Sequence, residues 1–256
     1  LLLSVEGLSW RTDDPFGTSL SDIRFSLREG EIVGIAGVAG NGQEELLKAL
    51  SGEIRLSGHA IRFAGTAIDG LAPQERRRLG MAVVPEERLG RGAVPSMSLA
   101  SNALLTASGQ GLVAHGLIRY PKVRAFSREV IRRFGVRCVS EDSSAASLSG
   151  GNLQKYILGR EALQNPKLLI ASHPTWGVDV GSAVAIHEAL VALRDQGAAI
   201  LLISEDLDEL YQLCNRMGAL CHGRLSPLVP TAGLSIERLG QWMAGDFPQE
   251  VSDAAA

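Results

Sequence analysis

Two patterns of apolar residues alternate along this chain, namely short continuous runs and helical spacings. Short apolar runs, which are typical of buried strands, lie at 2–5, 23–27, 32–36, 60–63, 81–84, 168–171, 199–203 and 217–221. Helical patterns, with apolar positions three or four residues apart, cover 42–50, 121–134, 152–163, 182–194 and 207–213. Strands that alternate with helices predict an α/β fold whose mostly parallel sheet is covered on both faces.

One long interval breaks this alternation. From residue 95 to residue 165 the pattern is helical without a convincing strand, and strand-forming segments lie on either side of it. We therefore predict an α/β core formed by 1–94 and 166–245 that includes an antiparallel β part, with 95–165 inserted as a helical subdomain. The Gly, Ala and Ser residues of 106–116 predict a mobile loop, and 246–256 is expected to form a flexible tail.

Composition narrows the functional classes. The 256 residues are 45% hydrophobic and 21% charged, which favours a large folded domain over a disordered chain. The net charge of −3 comes without a basic stripe, so nucleic acid is not expected as a partner. No apolar run is long enough to cross a bilayer. The three cysteines have neither metal-ligand spacing nor an even count, which fits free thiols in a reducing compartment.

A strand, a glycine-rich turn and a helix start follow one another at 32–46, which is the layout of a phosphate-binding loop. A working loop of this kind ends in a Lys that contacts the phosphates and a Ser or Thr that binds Mg²⁺. This chain has Gln43 and Glu44 at those two positions. The glycines that let the backbone approach a phosphate are all present, at Gly37, Gly40 and Gly42, and Asn41 completes the loop.

The exchange at Gln43 and Glu44 removes one positive charge and adds one negative charge beside a polyanion. A charge pair at about 4 Å is worth roughly 4 kcal/mol at an effective dielectric constant of about 20, before screening. We therefore expect weak or no binding of ATP and Mg²⁺ by the isolated chain. Weak binding would depend on the backbone N–H groups, or on Glu44 reaching a Mg²⁺ ion.

A second helix start that suits a phosphate is predicted at 148–155. Ser149 has the side chain of a helix cap, and Gly150 and Gly151 let the backbone approach an anion closely. The N–H groups of a helix that opens at Asn152 then face that anion. This run, Leu-Ser-Gly-Gly-Asn-Leu-Gln-Lys, resembles the signature motif of ABC ATPases. In that family the signature binds the γ-phosphate of an ATP that a partner domain holds.

The resemblance covers residues 3–224 and assigns further positions. After the strand that ends at residue 171, the family has an Asp for Mg²⁺ and a Glu that polarises water, whereas this chain has Ser172 and His173. Without a metal ligand or a loop lysine, His173 is expected to have no catalytic role. Glu205 stands where the family has a switch histidine, and Glu86 stands at the Gln-loop position. The resemblance thus implies that the chemical positions of this chain are degenerate.

Two more residues are assigned by the resemblance. Asp179 follows the proline-anchored strand end and matches the family's D-loop. Trp10 lies near the place of an aromatic residue that stacks on adenine, and an aromatic side chain packed at the edge of a sheet explains it equally well.

The motifs together resemble the C-terminal half of duplicated ATP-binding subunits in bacterial carbohydrate and nucleoside importers, with a lean toward the nucleoside type. This resemblance implies an N-terminal ATP-binding half, or a second ATPase domain, as the partner that shares ATP and Mg²⁺. It also implies transmembrane permease subunits, an extracytoplasmic substrate-binding protein, and a peripheral position on the cytoplasmic face of the bacterial membrane. The start at Leu1, within a strand-like run, indicates a piece of a longer polypeptide.

Other functions compete with this interpretation. An autonomous ATPase or kinase is disfavoured by Gln43 and Ser172. A chromosome-maintenance or repair ATPase of the same superfamily inserts long coiled-coil arms, and no sustained heptads occur in this chain. A scaffold that docks on membrane subunits without hydrolysing ATP stays open as an alternative. Whether the chain serves as an importer ATPase half or as such a scaffold, the surface over 86–102 is expected to receive a cytoplasmic helix of the membrane subunit. Its charged residues, Arg88 among them, are expected to be ionic partners of that helix.

Overall fold

The structure, a computed structural model, describes residues 1–248. Within this part of the chain the strands are β1 (Leu3–Trp10), β2 (Leu20–Leu27), β3 (Ile32–Ala36), β4 (Ile61–Phe63), β5 (Thr66–Ala67), β6 (Met81–Val84), β7 (Val113–Ala114), β8 (Leu117–Ile118), β9 (Leu168–Ser172), β10 (Ala199–Ser204), β11 (Arg216–Cys221), β12 (Arg224–Leu225) and β13 (Val229–Pro230). The helices are α1 (Gln43–Ser51), α2 (Pro73–Arg78), α3 (Leu99–Ala107), α4 (Tyr120–Arg133), α5 (Gly150–Ala162), α6 (Val180–Asp195), α7 (Leu207–Leu213) and α8 (Ile236–Met243).

The central sheet has the strand order β12-β11-β3-β10-β9-β6, and β13 pairs with β11 outside that path. All neighbours from β11 to β6 are parallel. Strands β3, β9 and β10 are buried along their whole length, which explains why their sequences are continuous apolar runs rather than alternating ones. The predicted mostly parallel sheet is confirmed. The phosphate loop follows β3, at the carboxyl edge of this sheet.

An antiparallel sheet with the order β2-β1-β4-β5 lies beside the central sheet. Leu3 of β1 pairs with Leu27 of β2 on one side and with Phe63 of β4 on the other. These three side chains join α1 and one face of the central sheet in a single apolar cluster, to which Leu46 and Ile35 also belong. The predicted antiparallel part of the fold is therefore present, and its first two strands are longer than the sequence pattern predicts.

Helices α5, α6, α7 and α8 cover the opposite face of the central sheet. Ile157, Ile186, Leu210 and Trp242 come from these four helices in turn, and they share one apolar cluster with Leu202 of β10. The fold is thus a sheet with helices on both faces, as the alternating pattern predicts.

Helices α3, α4 and α5 form a second small core through Leu99, Val130 and Tyr156. The hydroxyl of Tyr156 is buried there and donates to Leu99 O at 2.6 Å. Two features of the chain depart from the sequence pattern. Helices α2, α3 and α8 lie where none is predicted, and the predicted loop 106–116 contains a π turn followed by the first strand of the β7–β8 hairpin. Of the predicted tail 246–256, residues 249–256 lie outside the described part of the chain.

A buried ion cluster fixes α5 to α2. Glu161 has no exposed surface, and its two oxygens lie 2.9 Å from Arg160 Nε and 2.6 Å from Arg77 Nη1. Burial opposes ionisation of Glu161, but the two guanidinium groups outweigh that effect and hold the pKa of its carboxyl below the ordinary value. Because a buried charge without its partner is strongly destabilising, the cluster favours one relative position of the two helices.

Candidate functional site

Gln43 fills the phosphate loop with its own side chain. It is the first residue of α1 and is 6% exposed. Its Nε2 donates to Val38 O at 2.8 Å, and its Oε1 accepts from Asn41 N at 3.0 Å. An ideal Cβ at Gly37 would lie 2.5 Å from Gln43 Nε2 and 2.7 Å from the backbone oxygen of Leu220, so glycine there leaves room for both the amide and the neighbouring backbone. The protein itself thus satisfies a loop N–H group that a phosphate would otherwise bind.

Asn41 fixes the same loop to the turn between β11 and β12. Its Oδ1 accepts from His222 N, and its backbone oxygen accepts from Gly223 N, both at 2.9 Å. Gly40 and Gly42 flank it with φ values of 83° and 109°, which are left-handed conformations that favour glycine. The loop therefore has a defined shape that rests on hydrogen bonds within the protein.

Glu44 lies at the first turn of α1 in a small ion network. Its Oε1 is 2.7 Å from Lys48 Nζ and 3.2 Å from Arg91 Nη1. Arg91 in turn places Nη2 2.8 Å from Glu53. Two cations of the protein thus neutralise the carboxylate at the position where a working loop has its hydroxyl.

Ser172 and His173 lie at the carboxyl end of β9 and are both buried. His173 has a left-handed φ of 46°, and its N–H donates to Ile203 O at 2.8 Å. Its Nε2 lies 3.8 Å from Glu86 Oε2, and it lines a cleft of ≈ 540 Å³ together with Glu205. The structure thus brings an imidazole and two carboxylates together at the sheet edge.

The signature helix α5 begins at Gly150 rather than at the predicted Asn152. Ser149 occupies the cap position with an extended backbone, but its side chain makes no capping hydrogen bond, contrary to the prediction. Its Oγ instead accepts from Asn152 Nδ2 at 2.9 Å, and Asn152 Oδ1 accepts from Arg137 N at 2.8 Å. The side chain of Asn152 competes for the cap, so the first helical N–H groups are left to other acceptors.

Asp179 caps α6 and lies against the signature. Its Oδ1 accepts from Ser182 N at 2.9 Å and its Oδ2 from Ser182 Oγ at 2.7 Å. These hydrogen bonds lower the pKa of the Asp179 carboxyl. An ideal Cβ at Gly151 would lie 2.8 Å from Ser182 Oγ and 2.9 Å from Asp179 Oδ2. Gly151 is therefore needed for the contact between α5 and α6 in the same chain.

Trp10 is the last residue of β1, where it pairs with Leu20 of β2. Its ring is partly buried and packs on the apolar cluster beneath the antiparallel sheet. This position agrees with a sheet-edge aromatic, and stacking on adenine stays a prediction.

One cleft of ≈ 590 Å³ joins the phosphate loop to the signature. Its wall contains residues from the loop helix, from the Gln-loop segment and from the start of α5, so three separately predicted motifs meet there. They include Gln43, Glu44, Glu86, Arg88, Gly150 and Ser172. Among residues 1–248, no group of three or more His, Cys, Asp or Glu side chains is arranged to hold a metal ion.

Arg88 is the site residue that the sequence does not reveal. The pattern places it among surface ionic partners, whereas its Nε donates to Gln154 Oε1 at 3.2 Å, across 66 residues of chain. Its guanidinium also lies against Gly150, which is only partly exposed. No spacing rule marks such a contact, because the partners come from different segments.

Comparison with curated proteins finds relatives that are ATP-binding proteins of import systems. The chain is 38% identical to the nucleoside import ATP-binding protein NupA of Lactococcus lactis over 87% of its length, and 35% identical to the guanosine import ATP-binding protein NupO of Bacillus subtilis over 99%. It is 34% identical to a ribose import ATP-binding protein of Rubrobacter xylanophilus over 93% of its length. The chain spans 44%, 50% and 47% of these three relatives, which is about half of each.

Solved structures show the same fold. The ATP-binding subunit of an ABC transporter superposes with a TM-score of 0.77 at 24% identity, covering 95% of this chain and 100% of the other. A dimeric ATP-binding cassette bound to ADP and Pi gives a TM-score of 0.76 at 17% identity, with 91% and 100% covered. In the described part of the chain, no helix has the length and apolarity to cross a bilayer. The profile of the ABC transporter family matches residues 20–176, and the chain belongs to that family as an ATP-binding domain of the P-loop α/β type.

Proposed function

We propose that this chain is the ATP-binding domain of a nucleoside or sugar importer and acts as one half of a paired ATPase. Relatives that import nucleosides, guanosine and ribose support the substrate class. The observation that carries the proposal is a contrast within one chain: the phosphate loop is filled by Gln43, whereas the signature helix starts with an exposed Ser149.

In this proposal the chain's own loop is degenerate. A phosphate in the loop would compete with Gln43 for the N–H of Asn41, and its negative charge would lie near Glu44. Ser172 and His173 supply neither a carboxylate for Mg²⁺ nor one to polarise water. These residues do not fit MgATP, so we assign no step of hydrolysis to this loop.

The signature suits an ATP that is held by the partner's loop. The first N–H groups of a helix have no acceptor within the helix, and those of α5 lie beside exposed Ser149. We assign Ser149, Gly150, Gly151 and Asn152 to the γ-phosphate of that ATP. When bound, ATP with Mg²⁺ supplies the bond whose hydrolysis drives import. The helix start contributes fixed N–H donors where negative charge develops.

The proposed assembly contains an N-terminal ATP-binding half or second ATPase domain, permease subunits and an extracytoplasmic substrate-binding protein. It places the chain at the cytoplasmic face of the membrane. Within the chain, 95–165 serves as the helical subdomain that presents the signature, and 1–94 with 166–245 serves as the core. The alternative is a scaffold that docks on membrane subunits without hydrolysis, and the filled loop is the observation that favours it.

Two variants in the assembled transporter test the proposal. Gly150→Asp adds a carboxylate and a Cβ at the signature turn, beside Arg88 and the position proposed for the partner's γ-phosphate, and we expect the ATPase rate to fall roughly 100-fold or more. His173→Ala is expected to keep the rate within about twofold, because His173 has no role in the proposed machinery. ATP affinity and the melting temperature, measured for both variants, show that Gly150→Asp remains folded and loaded.

The opposite pattern decides against the proposal. An unchanged rate in Gly150→Asp together with a large loss in His173→Ala would make this half the active one. Transport that persists in both variants without any dependence of ATPase rate on the signature would favour the scaffold.

A further inference from the structure

Arg88 lies two residues after the Gln-loop position and reaches into the signature. Its Nε donates to Gln154 Oε1 at 3.2 Å. Gln154 has no exposed surface, and its Nε2 has no hydrogen-bond partner among residues 1–248. Leaving a buried amide donor unsatisfied is unfavourable. Among the described residues, the hydrogen bond that the carbonyl oxygen accepts from Arg88 is the polar interaction of the Gln154 side chain.

The guanidinium of Arg88 lies beside two glycine turns from different segments. An ideal Cβ at Gly150 would lie 2.7 Å from Arg88 Nη1, so a side chain at position 150 would displace the end of the arginine side chain. An ideal Cβ at Gly177, in the turn before Asp179, would lie 3.6 Å from Arg88 Nη2. The guanidinium therefore occupies the space beside Gly150 that a larger residue would take. Glycine at position 150 leaves room for Arg88 in its observed position, in addition to any approach to a phosphate.

The electrostatic setting of Arg88 is unusual for an arginine. Burial lowers the pKa of its guanidinium below the ordinary value, against the opposing effect of Glu86. The group also lies at the N-terminal end of α5, where the helix dipole disfavours a cation. Burial and the helix dipole both disfavour a cation at this place. The guanidinium is kept there by its hydrogen bond to Gln154 and by packing beside the two glycine turns.

We infer that Arg88 is a positioning residue that sets the signature helix start relative to the Gln-loop segment and the D-loop. Movement of 86–88 is transmitted through the guanidinium to Gly150 and Gly177, so the signature reaches the partner's nucleotide only in one position of that segment. This inference rests on the proposed function and names a residue that acts through the signature rather than on the nucleotide.

Kinetics of the assembled transporter test this role. Arg88→Ala is expected to lower kcat for ATP hydrolysis at least tenfold while KM for ATP changes less than twofold. Binding of ATP depends mainly on the partner's loop, whereas the signature acts after the halves close. Arg88→Lys is expected to behave like Arg88→Ala, because an ammonium cannot contact Gln154 and both turns at once. Arg62→Ala, on an exposed arginine of the antiparallel sheet, is the matched control and keeps both parameters.

A double-mutant cycle separates positioning from a general loss of structure. Gly150→Ala alone is expected to lower kcat, because its Cβ displaces Arg88. In Arg88→Ala/Gly150→Ala that clash is gone, so we expect a combined loss smaller than the sum of the two single losses. Additive losses, or a raised KM with unchanged kcat, would overturn the inference. If Gly150→Asp is inactive while Arg88→Ala is fully active, the inference fails and the proposed function stands.

Discussion

Glutamine and lysine present different hydrogen-bonding groups at position 43 of the phosphate loop. The side chain of Gln43 both donates and accepts, so it closes the loop by bonding to Val38 O and Asn41 N. A lysine in its place has donors only and leaves the N–H of Asn41 for an external acceptor. The glutamine therefore changes more than the charge of the loop, because its side chain also occupies the space and the hydrogen-bonding groups of the loop.

Restoring the residues of a working phosphate loop at positions 43 and 44 tests how Gln43 and Glu44 affect nucleotide binding. Gln43→Lys together with Glu44→Thr is expected to strengthen MgATP binding by the chain at least tenfold, about 1.4 kcal/mol, because the amide is removed and the charge is corrected. No hydrolysis is expected, since Ser172 and His173 are unchanged. Titration with a fluorescent ATP analogue and a phosphate-release assay measure the two effects.

The single variant Glu44→Thr is the control for this repair. It corrects one charge but leaves the amide of Gln43 in the loop, so we expect a smaller gain in affinity. Equal gains in the single and double variants would show that Gln43 does not obstruct the loop. Steady hydrolysis by the double variant would contradict the inference that Ser172 and His173 cannot support hydrolysis.

The contacts of single residues were only partly open to prediction. Gln43, Glu44 and Glu86 were found from their order along the chain, because each stands at a fixed place after a strand. The capping role predicted for Ser149 was wrong, since capping by serine depends on a rotamer that Asn152 takes over through its own hydrogen bond. The contact of Arg88 with Gln154 could not be predicted, because it joins segments that only the packed fold brings together.

At the scale of elements, periodicity located α4, α5, α6 and α7 within two residues of their observed ends. The start of α5 was placed two residues late because glycine has low helix propensity, an effect that matters less at the first positions of a helix. Helix α3 was missed because Ala, Ser and Leu surround it on most faces, so its sequence has little amphipathic contrast.

A pair of helical glycines tests packing at this scale. An ideal Cβ at Gly159 of α5 would lie 2.5 Å from Phe134 Cδ2, and overpacking of this kind costs about 1–3 kcal/mol. Alanine gains about 1 kcal/mol over glycine in a helix interior, so Gly159→Ala should lower the melting temperature on balance. Gly240→Ala in α8 meets no atom within 4 Å and should raise it. Equal increases in both variants would mean that the Phe134 ring moves aside without cost.

For the whole molecule, alternation of strands and helices was sufficient for the parallel sheet and its two covered faces. Strand order could not be predicted from the pattern, because β3 pairs with β10 and β11 through contacts across most of the chain.

The surface over 86–102, which is proposed to receive a helix of the membrane subunit, differs from its prediction in the charged groups that it exposes. Arg88 and Arg91 bind Gln154 and Glu44 within the chain, so the exposed groups of this surface include Glu86, Glu87 and Met97 but not these two guanidinium groups as free cations.

Crosslinking in the assembled transporter tests that surface. Ser96 is exposed, and Ser96→Cys in a Cys138→Ser background should crosslink to a cytoplasmic helix of the permease through a short bismaleimide. Ser9→Cys, on the exposed side of β1, is the control and should give no product with the permease. Failure at Ser96 and at neighbouring exposed positions would remove this surface from the interface.

The hydrogen bonds of Asn41 have a consequence for timing. A loop that is ordered by its ligand becomes ordered and disordered once in every turnover, as nucleotide binds and leaves. The loop of this chain is tied to His222 and Gly223 by bonds that do not depend on nucleotide. In a paired ATPase built as we propose, the phosphate loop of one site would therefore become ordered and disordered in each turnover. The loop of this chain would keep a constant shape, so the two halves would differ in their conformational dynamics as well as in their chemistry.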